Sequence, residues 1–126
     1  MEEKLRALLD QYEDLGAILV STSDGVPLLK IEPESSTDPV FEYAETVLPS
    51  VFAAAAEQAG KLRFGNVQTI TCFFDTTVLI HVNHLPVVIT LIAAQGASVG
   101  ALLDVAIDLK AIVGPLKKVV ETSDSN

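Results

Sequence analysis

Apolar residues return along this chain in two rhythms, and the switches between them divide it into elements. Leu5, Leu8, Leu9 and Tyr12 stand at i, i+3, i+4 and i+7, which lines one face of a short helix. Residues 15–22 and 26–31 are near-continuous apolar runs of strand length, and Ser23, Asp24 and Gly25 between them predict a hairpin turn. Residues 32–39 collect Pro33, Ser35, Ser36, Thr37, Asp38 and Pro39, a composition that cannot pack a core and predicts a loop. A second helix is expected over residues 40–59, firmest from Pro49 onward because proline suits a first turn, and ended by Gly60. Three strands follow at 67–74, 77–83 and 86–94, separated by Asp75-Thr76 and by the turn Asn83-His84-Leu85-Pro86, and they predict a meander. Residues 96–100 open a long last helix to about residue 120. Its stripe is Leu102, Ala106, Leu109, Val113, Leu116 and Val120, with a bend expected at Pro115. Residues 121–126 read as a polar, frayed end, so the expected organisation is one domain over residues 1–121 and a short tail over 122–126.

The order is thus helix, two strands, helix, three strands, helix. The strands are apolar on both faces, as in Ile18-Leu19-Val20 and Val87-Val88-Ile89, so both sides of the sheet need a cover. An α/β domain follows, with a five-stranded antiparallel sheet, the middle helix on one face and the terminal helices on the other.

Size and charge narrow the function. A chain of 126 residues is enough for one domain with a real core. No apolar run reaches the roughly 18 residues of a membrane span, and Met1 leads straight into Glu2, Glu3 and Lys4, which is unlike a secretory leader. The expectation is a soluble intracellular protein. With 17 acidic against 8 basic residues, a net charge of -9 argues against nucleic acid and against direct docking on anionic lipid. Any work at a membrane then needs a partner that holds the chain there.

Catalysis finds little to use. Cys72 is the only cysteine, and it cannot form an internal disulfide or build a zinc site with just two histidines. His81 and His84 have opposite parity on one strand and diverge, while Cys72 sits among Ile70, Phe73 and Phe74; the trio reads as a core cysteine and two structural histidines rather than a nucleophile and base. Residues 96–100 resemble a phosphate loop only in their glycines, lacking the Gly-Lys-Ser/Thr ending. No enzyme activity, cofactor or metal is expected.

Surplus apolar surface is the more informative feature. Val105, Ile112 and Val119 widen the stripe of the last helix beyond what one sheet face needs. On the middle helix Val51, Phe52, the alanines 53–56, Ala59 and Gly60 form a small-residue surface that either receives another helix or simply reflects the helix preference of alanine. The strand over residues 67–74 is placed at a sheet edge with no proline or lysine to block pairing, unless a loop covers it.

The residues carrying these features also resemble a known family. Ala17-Ile18-Leu19-Val20-Ser21 followed by Asp24-Gly25-Val26-Pro27 and Lys30 is similar to the first hairpin of the roadblock/dynein-light-chain-like family, in particular the mitogen-activated protein kinase scaffold adaptors of the Ragulator complex. Phe52-Ala53, Gln58, Lys61-Leu62, Ile70-Thr71-Cys72-Phe73-Phe74, Asn83 and Leu85-Pro86-Val87-Val88 extend the likeness over nearly the whole chain; residues 32–46, the first helix and Gly114-Pro115 depart most. The resemblance implies a non-catalytic adaptor that heterodimerises with a second roadblock-domain subunit, strand to strand and middle helix to middle helix. The contact residues expected from strand and helix together are Phe52, Ala53, Ala56, Gln68, Thr69, Ile70, Thr71, Cys72, Phe73 and Phe74. It also implies recruitment to the cytoplasmic face of late endosomes and lysosomes by a lipidated scaffold subunit. Rag GTPases and mitogen-activated kinase components are the further partners it implies, in signalling to the target-of-rapamycin kinase. A dynein light chain or another roadblock-type GTPase regulator is the alternative within the same fold.

Overall fold

A computed structural model describes residues 1–32 and 39–124. The order of elements is α1 (Glu2–Gln11), β1 (Leu15–Thr22), β2 (Pro27–Ile31), α2 (Pro39–Gly60), β3 (Thr69–Phe73), β4 (Thr77–His84), β5 (Val87–Ala94), α3 (Val99–Ile112) and α4 (Gly114–Asp124). The loop expected at 32–39 falls almost wholly outside the described residues.

The β1–β2 hairpin forms because Gly25, at φ 98°, takes the left-handed turn position that a side chain would resist. The Thr22 side chain then accepts a hydrogen bond from the Val26 amide at 2.9 Å. Five antiparallel strands lie in the order β2-β1-β5-β4-β3, so β5 is central, β1 and β4 flank it, and β2 and β3 are the edges. β5 is buried from Val87 to Ala93, which explains why its sequence is apolar without alternation.

The two faces carry unequal cores. Ile18 and Val20 of β1, Val78, Ile80 and Val82 of β4, and Val87, Ile89 and Leu91 of β5 point to the face covered by α1, α3 and α4. Leu5 and Leu9 of α1, Leu102, Val105, Ala106 and Leu109 of α3, and Val113 close that core. Ala17, Leu19, Leu79 and Ile92 point the other way, with Cys72 packed beside them, and α2 crosses this side. The middle helix therefore covers one face and the terminal helices the other.

Three details depart from the sequence reading. The last helix is two helices, because Pro115 has no N–H for the carbonyl of Ala111 and its ring crowds that turn. The chain breaks at Val113 (φ -88°, ψ 3°) and restarts with Pro115 in the first turn of α4, where the missing donor costs nothing. α4 then continues through the stretch read as a frayed end, as far as Asp124. Val105 is not surplus surface but fully buried, and Ile112 packs on the same core; Val119 and the unforeseen Ile107, 68% exposed, are the residues that face outward.

This orientation of α3 is checkable by urea unfolding. Leu109→Ala should cost about 2–5 kcal/mol through lost burial and a cavity, whereas Ile107→Ala should stay within about 0.5 kcal/mol. The reverse ranking would mean that α3 lies with its other side to the sheet.

Candidate pairing interface at the β3 edge

Among the described residues β3 has one strand neighbour, β4, paired in the register Thr69↔Val82, Ile70↔His81, Thr71↔Ile80, Cys72↔Leu79 and Phe73↔Val78. Two bonds fix which residues turn their backbone groups toward β4. At one end Asn83 N–H donates to the Gln68 carbonyl at 2.9 Å, and at the other Phe74 N–H donates to the Thr77 carbonyl at 2.8 Å. Antiparallel ladders alternate, so Gln68, Ile70, Cys72 and Phe74 bond inward and Thr69, Thr71 and Phe73 direct N–H and C=O to the side with no strand. Those outward groups have the spacing a further strand requires.

Side chains alternate independently of this. Residues directly across a ladder share a face, so Ile70 and Cys72 lie with His81 and Leu79 on the α2 side, and Thr69, Thr71 and Phe73 on the side of α3. Phe73 is 71% exposed and Phe74, just past the strand, 57%. Apolar side chains are thus uncovered on both faces of the same edge.

α2 lies alongside. Phe52 points inward, 2% exposed, with its ring centroid 5.8 Å from that of His81. Val51, Ala53 and Ala54 face outward, and Ala55 and Ala56 are half-buried. An open groove of about 400 Å³ runs between α2 and the start of β3, lined among others by Phe52, Ala53, Ala56, Gly60 and Val67. Of the residues expected at a partner contact, Ile70 and Cys72 share the α2 face with Ala53 and Ala56, Thr69, Thr71 and Phe73 turn their side chains to the opposite face of the same edge, and Phe52 anchors α2 from beneath. Leu62, quoted only for the family likeness, and Phe64, not singled out at all, stand in the loop before β3, 64% and 90% exposed. The one signal for Phe64 was an aromatic next to a turn-forming glycine.

The residues considered for catalysis do not assemble. His81 faces α2, while His84 lies toward α3 and α4, where desolvation and then Lys117 and Lys110 lower its pKa against the opposing pull of Glu121. Cys72 stands opposite Leu79, and His81 shares a hydrogen bond with Thr90 (Nδ1 to Oγ1, 3.1 Å) instead. Among the described residues no group of three His, Cys, Asp or Glu side chains is placed to hold a metal ion, and no helix is long and apolar enough to cross a membrane.

A five-stranded antiparallel sheet between one helix and three defines the class. The fold is that of roadblock/LC7 domains: a Roadblock/LC7 domain from Streptomyces avermitilis superposes with a TM-score of 0.75 at 13% identity, over 92% of this chain and 96% of that one. Myxococcus xanthus MglB does so with a TM-score of 0.63 at 20% identity, over 94% and 96%. Sequence takes the assignment further. Residues 1–120 match the family described as "Mitogen-activated protein kinase kinase 1 interacting", and the chain belongs to that family. Similar relatives include "Ragulator complex protein LAMTOR3" of Xenopus tropicalis, 33% identical over 127 residues covering 98% of this chain and all of the relative. The Mus musculus protein of the same name is 33% identical over 115 residues, covering 91% and 90%.

His81 ties the α2 face to pH. It is fully buried, its Nε2 has no hydrogen-bond partner among the described residues, and desolvation lowers its pKa from 6.5 to about 4. The unfolded chain takes up this proton near pH 6.5 and the folded one only near 4, so the contribution is complete above 6.5 and is lost as pH falls through that window. Between pH 7 and 5 the native chain should lose about 2 kcal/mol more stability than His81→Leu. Equal losses in urea titrations at the two pH values would show that His81 is not held neutral.

Proposed function

We propose that this chain is a non-catalytic scaffold subunit that pairs with a second roadblock-type chain by adding the partner's edge strand to β3 and laying the partner's middle helix along α2. The open β3 edge carries the proposal: backbone groups of Thr69, Thr71 and Phe73 without a strand neighbour, flanked by exposed Phe73 and Phe74 on opposite faces. Such an edge is an aggregation hazard unless something pairs with it. Ala53 and Ala56 allow a helix backbone to approach closely, and Ile70 and Cys72 lie half-buried on the sheet face that α2 crosses. Affinity then comes from buried apolar area and ladder bonds, while the acidic surface acts on partner choice and encounter rate, being screened over roughly 8 Å at physiological salt. A stable pair needs about 1,200–2,000 Å² in total.

The names of the relatives support a finer reading: a Ragulator-type assembly at the cytoplasmic face of late endosomes or lysosomes. There the paired domain serves as a platform for Rag GTPases, and the family's description supports a link to mitogen-activated kinase components. A lipidated scaffold subunit supplies the membrane attachment in this reading.

Thr71→Pro is a selective test. The Thr71 amide points away from β4, so proline there leaves the internal ladder intact while removing a donor and placing a ring in the path of an incoming strand. The variant should keep its unfolding free energy within about 1 kcal/mol of the native chain and lose the paired species on a sizing column. Affinity purification of the tagged native chain with mass spectrometry should recover a roadblock-type chain together with Rag GTPases. Undiminished pairing by Thr71→Pro would reject the strand-addition reading, and recovery of dynein chains instead would reject the Ragulator one.

A further inference from the structure

We infer that the loop after α2, residues 61–66, is a second anchor of the pairing surface, presenting Phe64 to the β3–β4 turn of the roadblock-type chain that β3 engages. The inference rests on the pairing reading and adds to it a contact outside both strand and helix. α2 unwinds through three tight turns, in which the amides of Lys61, Leu62 and Arg63 donate to the carbonyls of Gln58, Ala59 and Gly60 at 3.2, 3.1 and 3.1 Å. Arg63 (φ 60°) and Gly65 (φ 103°) both adopt left-handed backbone, which a residue with a side chain such as Arg63 resists. Phe64 stands between them at 90% exposure. A backbone held in an unfavourable region to keep an aromatic ring in water gains nothing for the isolated fold.

The loop is fixed relative to the open edge. It enters β3 through Val67 and Gln68, whose carbonyls accept from the Asn83 side chain at 2.6 Å and the Asn83 amide at 2.9 Å. When two such edges pair antiparallel, the start of one strand lies beside the end of the other, and two like folds meet about an approximate two-fold axis. The loop before β3 therefore meets the partner's β3–β4 turn, and this chain's own turn, with Phe74 exposed and Asp75 beside it, meets the partner's loop. Lys61 and Arg63 make the loop a basic spot on a chain of net charge -9, so the loop favours a partner turn that carries a carboxylate.

The probe is the roadblock-type chain recovered with the tagged full-length protein, identified and then produced recombinantly, with binding followed by calorimetry and dissociation rate. Phe64→Ser should weaken binding about 10- to 100-fold, mainly through faster dissociation, and Phe64→Leu should stay within about threefold. Neither should move the unfolding midpoint of the isolated chain. Native affinity in Phe64→Ser while Thr71→Pro fails to bind would overturn the loop anchor and leave strand pairing standing; native affinity in both would overturn the two together. A lowered midpoint for isolated Phe64→Ser would place the ring in the chain's own core and equally overturn the inference.

Discussion

A β-strand with one neighbour leaves half of its backbone hydrogen-bonding groups to water or to another chain, and in this domain that strand is β3. The other edge, β2, begins with Pro27 and meets β1 through an irregularity at Val20/Ser21, features that blunt strand addition. β3 carries no such guard. Its ladder to β4 runs without a bulge from Thr69 to Phe73, and the exposed aromatics cluster at its end and at the loop that precedes it.

The rest of the fold sets up this asymmetry. Three helices and most of the large aliphatic side chains close the face beneath α1, α3 and α4, so stability resides there. The opposite face has one helix and a small cluster, with Phe52 over His81 fixing α2 to the sheet. A single helix roughly 10 Å across cannot roof five strands spaced about 4.8 Å apart. The uncovered part lies on the side of α2 and β3, where alanines and half-buried Ile70 and Cys72 replace the bulky residues of the other face. The open edge and the thin helix cover thus fall together at the β3 end of the sheet.

Much of this was legible because the relevant physics is local. Apolar runs of strand length, the Ser23-Asp24-Gly25 turn and the glycine that ends α2 placed the elements, and unalternating β5 required two covered faces. Side-chain register was harder to read. Val105, Ile107 and Ile112 are equally apolar, and only the rotation of α3 against the sheet buries the first and exposes the second. Pro115 signalled a bend, but whether a helix bends or restarts depends on what the flanking turns pack against. Phe64 escaped notice because its exposure is set by left-handed backbone at Arg63, a conformation that arginine does not advertise. Which β3 amides face outward followed only from the bonds of Gln68 and Phe74 to β4.

Amide hydrogen exchange along β3, with and without the roadblock-type partner, addresses the central claim most directly. Alone, the amides of Thr69, Thr71 and Phe73 should exchange quickly while those of Ile70 and Cys72 are protected by β4; in the complex the three outward amides should slow as well. A stable complex in which Thr69, Thr71 and Phe73 still exchange as in the free chain would contradict the account.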